Sequence, residues 1–186
     1  MSTVIEDIIA RKVFNSRGEE TIEVDVITTA GFGRASAPAG ASRGKAEAVP
    51  YPEGGVDQAI RKVEETVVPE LIGMNADEQE SIDLLLREID GTKDFRNIGG
   101  NTACALSLAM AEAAAASYGI PLFQHLAGSL AGKLPYPLGN VLGGGKHALG
   151  KAPDVQEFLS LPVKADNFSD AAKANIMVHQ RVCSLL

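Results

Sequence analysis

The sequence has no tryptophan, and aromatic residues fill only 5% of its 186 positions. Any core must therefore be built from aliphatic side chains and alanine rather than large rings. Cysteine is almost as scarce. Cys104 and Cys183 stand far apart in no paired spacing, which excludes a disulfide framework or a zinc knuckle and makes both expected buried apolar residues of a reducing compartment. Positive charge is in deficit too: 17 Lys and Arg against 24 Asp and Glu leave the chain at −7. So acidic a chain lacks the basic field that nucleic-acid phosphates or an anionic membrane surface require, and neither is an expected partner. Long hydrophobic runs are missing as well. The most apolar stretch, Cys104 to Ala116, is too short for a membrane span and carries Glu112. The N-terminus, Met1 to Asp7, has neither the basic start nor the apolar run of a signal peptide, and the expected location is cytoplasmic.

What remains is a balanced globular composition, 45% hydrophobic, with period-2 and period-3.6 patterns in succession. Thr21 to Thr28 alternates polar and apolar residues as a half-buried strand does, and Val4 to Phe14 before it is rich in β-branched residues. Asn15-Ser16-Arg17-Gly18 supplies the turn between them, and a third strand, Phe32 to Ala37, follows a turn at Gly31. Three such strands predict an antiparallel meander with one face to cover. The expected cover is helical. Asp57 can cap a helix that carries Ile60, Val63, Val67 and Val68 and ends near Pro69; a second helix runs from about Asp77 to Ile89 and closes at Asp90-Gly91. A third, about Asn101 to Ser117, is apolar on nearly every face and so belongs between other elements. A turn of helix is expected over Leu122 to Leu126.

The texture changes near Lys133, which places the expected boundary between a first domain, 1–133, and a second, 134–186. Strand-like runs at Pro137 to Leu142 and Val155 to Val163 flank Gly143-Gly144-Gly145-Lys146-His147, and Phe168, Ala172, Ile176, His179, Cys183 and Leu186 recur at helical spacing. That last helix shows no stop signal, and the chain is expected to end within it, as a cut chain would.

Nucleotide motifs fail in detail. Gly145-Lys146 is no P-loop, because Asn140 stands where the first glycine belongs and His147 where a magnesium-binding hydroxyl belongs. Gly31-Phe32-Gly33 lacks the third glycine of a dinucleotide fingerprint and leads into a strand. Taken singly, His147 is an ordinary loop histidine, His125 and His179 are packing or solvent residues, and Ser42 is a loop serine. Glu157 at the head of an apolar strand reads first as an exposed strand residue, although a buried carboxylate there would need a partner.

The combination carries more. Asn15-Ser16-Arg17-Gly18 with Thr21-Ile22-Glu23, then Pro38-Ala39-Gly40-Ala41-Ser42, then Asn140 through Ala148 with its three glycines, then Asp154-Val155-Gln156-Glu157-Phe158 occur in this order. Together they closely resemble the enolase (phosphopyruvate hydratase) family, and the all-glycine loop with its lysine resembles the archaeal kind. The resemblance runs along the whole chain but reaches only the N-terminal part of that family's length. It implies an α+β fold: a capping domain of a three-stranded antiparallel meander plus helices, followed by the first β-β-α of an incomplete α/β (TIM-type) barrel.

The resemblance also implies chemistry. Family enzymes are lyases that interconvert 2-phosphoglycerate and phosphoenolpyruvate in glycolysis with two Mg2+ ions. Ser42 matches the loop serine that ligates the second metal, His147 a histidine that approaches the substrate, Glu157 a catalytic carboxylate near the leaving hydroxyl, and Gln156 a neighbouring substrate contact. The first-metal carboxylates, the lysine base, the main acid and the phosphate-binding arginine would lie beyond Leu186, so weak or absent Mg2+ binding and no turnover are expected of these residues alone. A homodimer is implied for a complete protein, with Arg11 and Glu23 at positions of inter-subunit ion pairs. Asn15, Glu19-Glu20, Ala39 and Arg43 depart from the family's usual Asp, Asn-Pro, Ser and Thr. The changes at Ala39 and Arg43 beside Ser42 read as those of a divergent copy and lend some support to the alternative, a non-catalytic interaction or scaffold module derived from the capping domain.

Overall fold

The computed structural model describes residues 2–39, 44–128, 132–145 and 152–186. These fall into two compact units, Met1–Ala131 and Gly132–Leu186.

In the first unit, β1 (Ile5–Phe14), β2 (Glu20–Thr28) and β3 (Phe32–Ser36) form the expected meander, antiparallel throughout, with β2 in the centre. The turn after β1 is organised by Asn15, whose Oδ1 accepts from the amides of Arg17 and Glu19 at 2.9 and 3.0 Å. An asparagine oxygen serves this turn fully, so the departure from aspartate there is structurally neutral. The free edge of β1 is covered at its start by the 73–76 segment: Ile5 N donates to Met74 O and Gly73 N to Ile5 O, which removes part of an exposed edge.

The alternation along β2 puts Ile22, Val24 and Val26 on one face, all fully buried. Opposite Val26 on β3 stands Gly33. Here α4 (Gly100–Tyr118) lies against the sheet, and its near face is alanine: Ala105, Ala109, Ala113 and Ala114 are fully buried. Small residues on both surfaces bring the helix backbone onto the strand. A Cβ on Gly31 would sit 2.5 Å from the Ala113 carbonyl oxygen, and one on Gly33 would fall well inside contact distance of the Ala109 carbonyl and the Ala113 amide. The other side of α4 meets α3 (Gln79–Asp90), with Ile82 and Leu86 buried between them. The Asp90-Gly91 stop is as expected, with Gly91 left-handed at the helix end.

Between sheet and α3 the chain runs α1 (Gly55–Lys62), a wide π-helical turn (Val63–Val67) and α2 (Val68–Leu71). The sequence pattern reads as one helix. The structure widens it just before Pro69, whose missing N–H cannot continue the α-helical ladder. Gly54, not Asp57, occupies the cap position; Asp57 sits inside the first turn and pairs with Lys12 at 2.8 Å. The short α5 (Leu122–Ala127) completes the unit. Both cysteines are exposed, contrary to expectation. Cys104 falls on the outward side of α4 while its neighbour Ala105 is fully buried, and Cys183 lies in the last turn of an exposed helix.

The second unit is a hairpin of β4 (Gly139–Gly143) and β5 (Glu157–Ser160) with α6 (Phe168–Cys183) packed on β4. Asn167 caps α6 by accepting from Asp170 N at 2.9 Å. The helix stops at Cys183, with Ser184 Oγ donating to Arg181 O at 2.7 Å, so it does not run to the last residue as expected. Only Ala171 of its residues is buried; Phe158, Leu159, Ile176 and Met177 are each about half exposed. No barrel closes among the described residues, and these apolar faces are what an opening β-β-α of a barrel leaves uncovered.

Candidate functional site

The hairpin positions two of the expected site residues. β4 and β5 pair with Gly143 opposite Glu157, and the ladder is prolonged by Gly144 N donating to Gln156 O and Gly145 N to Pro153 O, both at 2.8 Å. The glycines make this crossing possible. A Cβ on Gly144, which is buried, would lie 2.5 Å from the Pro153 carbonyl oxygen, and Gly145 has φ 55°, a left-handed conformation that side chains resist. The glycine run therefore lets the ends of the two strands approach closely. Gln156 and Glu157 are adjacent where β5 begins, and both are exposed. Gly144→Ala is expected to speed amide exchange at Gly145 by about tenfold, since overpacking of this kind costs on the order of 1–3 kcal/mol; an unchanged rate would mean the crossing tolerates a side chain.

Ser42 and His147 lie outside the described residues. The stems of the Ser42 segment are described. Asn15, Ser16, Thr21, Pro38 and Ala39 line one hollow of about 240 Å³, so the first two motifs of the ordered set meet in space although residues 24–37 separate them in sequence. A larger cleft, about 580 Å³ between residues 132–137 and 165–168, contains none of the expected site residues.

Sequence reasoning named Arg11 and Glu23 only as positions of inter-subunit ion pairs and missed the charged cluster they form with Asp25 and Arg34 on the outer face of the sheet. Asp25 on β2 is buried to 4% exposure beneath two arginines. Arg34, directly across on β3, donates to it from Nε at 2.6 Å and from Nη2 at 2.8 Å; Arg11 donates to both Asp25 oxygens and to Glu23 at 2.7 Å. Hydrogen bonds from Arg34 and then Arg11 hold the Asp25 carboxyl well below its ordinary range, against the opposing effect of burial. Arg11 and Glu23 thus pair with each other inside this chain. The signal was the aspartate at the centre of a strand with arginines on both neighbours, visible only once the register is known.

A three-stranded antiparallel meander covered by an alanine-rich helix, followed by a β-β-α unit whose faces remain uncovered, is the α+β arrangement expected of a capping domain and the opening of a barrel. Residues 5–126 match the family model described as "Enolase, N-terminal domain", and residues 131–186 match "Enolase, C-terminal TIM barrel domain". The chain belongs to the enolase family. It is 52% identical over 186 residues to the enolase of Methanothermobacter thermautotrophicus, covering 100% of this chain and 45% of that protein. It is 52% identical over 182 residues to that of Methanosphaera stadtmanae, covering 98% and 44%. With the enolase of Pyrobaculum aerophilum it shares 47% over 188 residues, covering 96% and 44%. The chain therefore spans somewhat under half the length of the curated relatives it matches.

Proposed function

We propose that these residues are the front portion of a lyase that interconverts 2-phosphoglycerate and phosphoenolpyruvate with the help of Mg2+, serving glycolysis in the cytoplasm. The observation that carries this reading is the match of both enolase domains, in order, across nearly the whole chain. Among the described residues, no helix is long and apolar enough to cross a membrane.

The reaction removes a proton α to a carboxylate before hydroxide leaves, so negative charge builds up on the substrate between the two events. Among the described residues no three His, Cys, Asp or Glu gather into a metal site. Mg2+ bound in a complete site would neutralise that developing charge. The chain's own contribution to such a site is the hydroxyl of Ser42, an oxygen donor of the hard type Mg2+ takes.

In this reading Glu157 acts at the leaving hydroxyl, Gln156 contacts the substrate and His147 approaches it. Assembly as a homodimer through the outer face of the sheet would make Arg11 and Glu23, already paired within the chain, neighbours of the partner.

The test is turnover of 2-phosphoglycerate, followed by the ultraviolet absorbance of the enol product. The 186-residue chain is expected to show none. The complete reading frame that contains it is expected to be active only with Mg2+, and Glu157→Gln is expected to lower its kcat about 100-fold or more, the range for loss of a positioned acid or base. Ser42→Ala is expected to raise the Mg2+ requirement instead. A complete frame that turns over nothing would overturn the lyase reading in favour of a scaffold module.

A further inference from the structure

We propose that Tyr51 and Thr21 are positioning residues for the segment that carries Ser42, acting as a hydroxyl staple between its two stems; the metal consequence rests on the reading of Ser42 above. β3 leaves the sheet after Ser36, one residue before the ladder with β2 would pair Ile22 with Ala37. The last backbone bond on that side, Ala37 N to Ile22 O, is stretched to 3.3 Å. The partner that Ile22 N–H then lacks is the phenol of Tyr51, at 3.2 Å.

The direction of every proton follows from donor bookkeeping. Thr21 Oγ1 donates its single proton to Ala37 O at 2.7 Å, so the 2.7 Å contact between Thr21 Oγ1 and Tyr51 Oη has Tyr51 as donor. Tyr51 Oη in turn accepts from Ile22 N. The relay runs from the Ile22 amide through two hydroxyls to the Ala37 carbonyl. Thr21 is 4% and Ala37 2% exposed, so water competes poorly for these bonds.

The relay thus joins residue 37, where the segment departs, to residue 51, where it returns. The returning stem is anchored separately. Gly100 N, in the first turn of α4, donates to Val49 O at 2.7 Å, and Asn101 N to Pro50 O at 3.1 Å; these are amides a helix N-terminus leaves free. Val49 N donates to Asp94 O at 2.8 Å, within a loop that the buried Asp90 carboxylate gathers by accepting from the amides of Asn97 and Ile98. Gly99 permits this approach, since a Cβ there would lie 2.6 Å from Pro50 O. The departing stem, among the described residues, keeps only the stretched Ala37 N to Ile22 O bond beyond the strand ladder. The relay adds the second hold on Ala37, and so helps set where residues 38–50 begin relative to where they end.

The experiment is hydrogen exchange of the 186-residue chain without metal or substrate, with tryptic cleavage after Lys45 as a second readout. Tyr51→Phe and Thr21→Val are each expected to speed exchange at Ala37 about tenfold, the population change that one net hydrogen bond supports, and to speed cleavage after Lys45 to a similar degree. Amides of Val24, Val26 and Ala109 are expected to keep their rates, and Thr21→Ser, which restores the hydroxyl, the parent behaviour. The double variant should be no faster than either single one, because both break the same relay. Unchanged exchange at Ala37, equal acceleration of all amides, or failure of Thr21→Ser to rescue would each overturn the staple. In the complete reading frame, Tyr51→Phe is expected to raise the Mg2+ concentration for half-maximal rate about tenfold and to leave the KM for 2-phosphoglycerate within twofold. A normal Mg2+ requirement in Tyr51→Phe would overturn the link to metal positioning. The same result in Ser42→Ala would instead overturn the reading of Ser42 and leave the exchange result intact.

Discussion

Gly33→Val is expected to abolish cooperative folding of the first unit, and Gly33→Ala to cost on the order of 3 kcal/mol or more, the upper range for forced overpacking. The position lies on the inner face of β3, opposite Val26, where α4 rests directly on the strand. A side chain there meets backbone: the Ala109 carbonyl and the Ala113 amide lie inside contact distance, with Glu112 Cβ at 3.0 Å. Backbone atoms in the middle of a helix cannot rotate away as a side-chain tip can, so strand and helix must separate. Separation would uncover Val24, Val26, Ala109 and Met110, all now fully buried. Against a typical domain stability of about 5–15 kcal/mol, loss of that packing is decisive. Gly18→Ala is the comparison. Gly18 also has a conformation unusual for side chains, φ 74°, but nothing lies within 4 Å of its Cβ position, so a loss of only about 1 kcal/mol is expected. Thermal unfolding followed by far-ultraviolet circular dichroism checks both; a Gly33→Ala protein that melts like Gly18→Ala would mean the helix has room to move.

The same interface shows what could be read from residues alone. Period-2 alternation in Thr21 to Thr28 and the all-round apolarity of Asn101 to Ser117 foretold a sheet covered by a sandwiched helix, and both are found. That Gly31 and Gly33 are the seat of that helix was hidden, because contact between a strand and a helix some 70 residues later leaves no local pattern. Asp25 was hidden for a related reason: on a strand read as half exposed it counts as an outward residue, and only the register shows arginines closing over it. Cysteine's average burial misled at Cys104, where a helix turn decides the side. At the candidate site, the ordered motifs made the family legible before any coordinates, whereas the role of Gly144 in letting the strand ends approach depends on which carbonyls it meets.

Asp25 gives the second large effect, and its sign follows from linkage. In the folded chain its carboxyl is held far below the ordinary value of about 3.9 by Arg34 and Arg11, whereas in the unfolded chain those partners are gone. A depressed folded value means the stabilisation is complete above the unfolded pKa and is lost progressively as pH falls from about 4 toward the folded value. The first unit is therefore expected to lose stability steeply below pH 4, and Asp25→Asn to flatten that decline. At neutral pH the variant should be about 2 kcal/mol less stable. Breaking a fully buried pair costs about 3–5 kcal/mol, but the partners here are not trapped: the Arg34 side chain is 51% and that of Arg11 34% exposed. Both can turn toward water, and solvent screening already reduces what their pairing contributes. Parent and variant curves of unfolding free energy against pH should thus converge toward pH 2. Parallel curves, with the gap at neutral pH persisting in acid, would show that the network acts through packing of the arginine stems and not through the carboxylate charge.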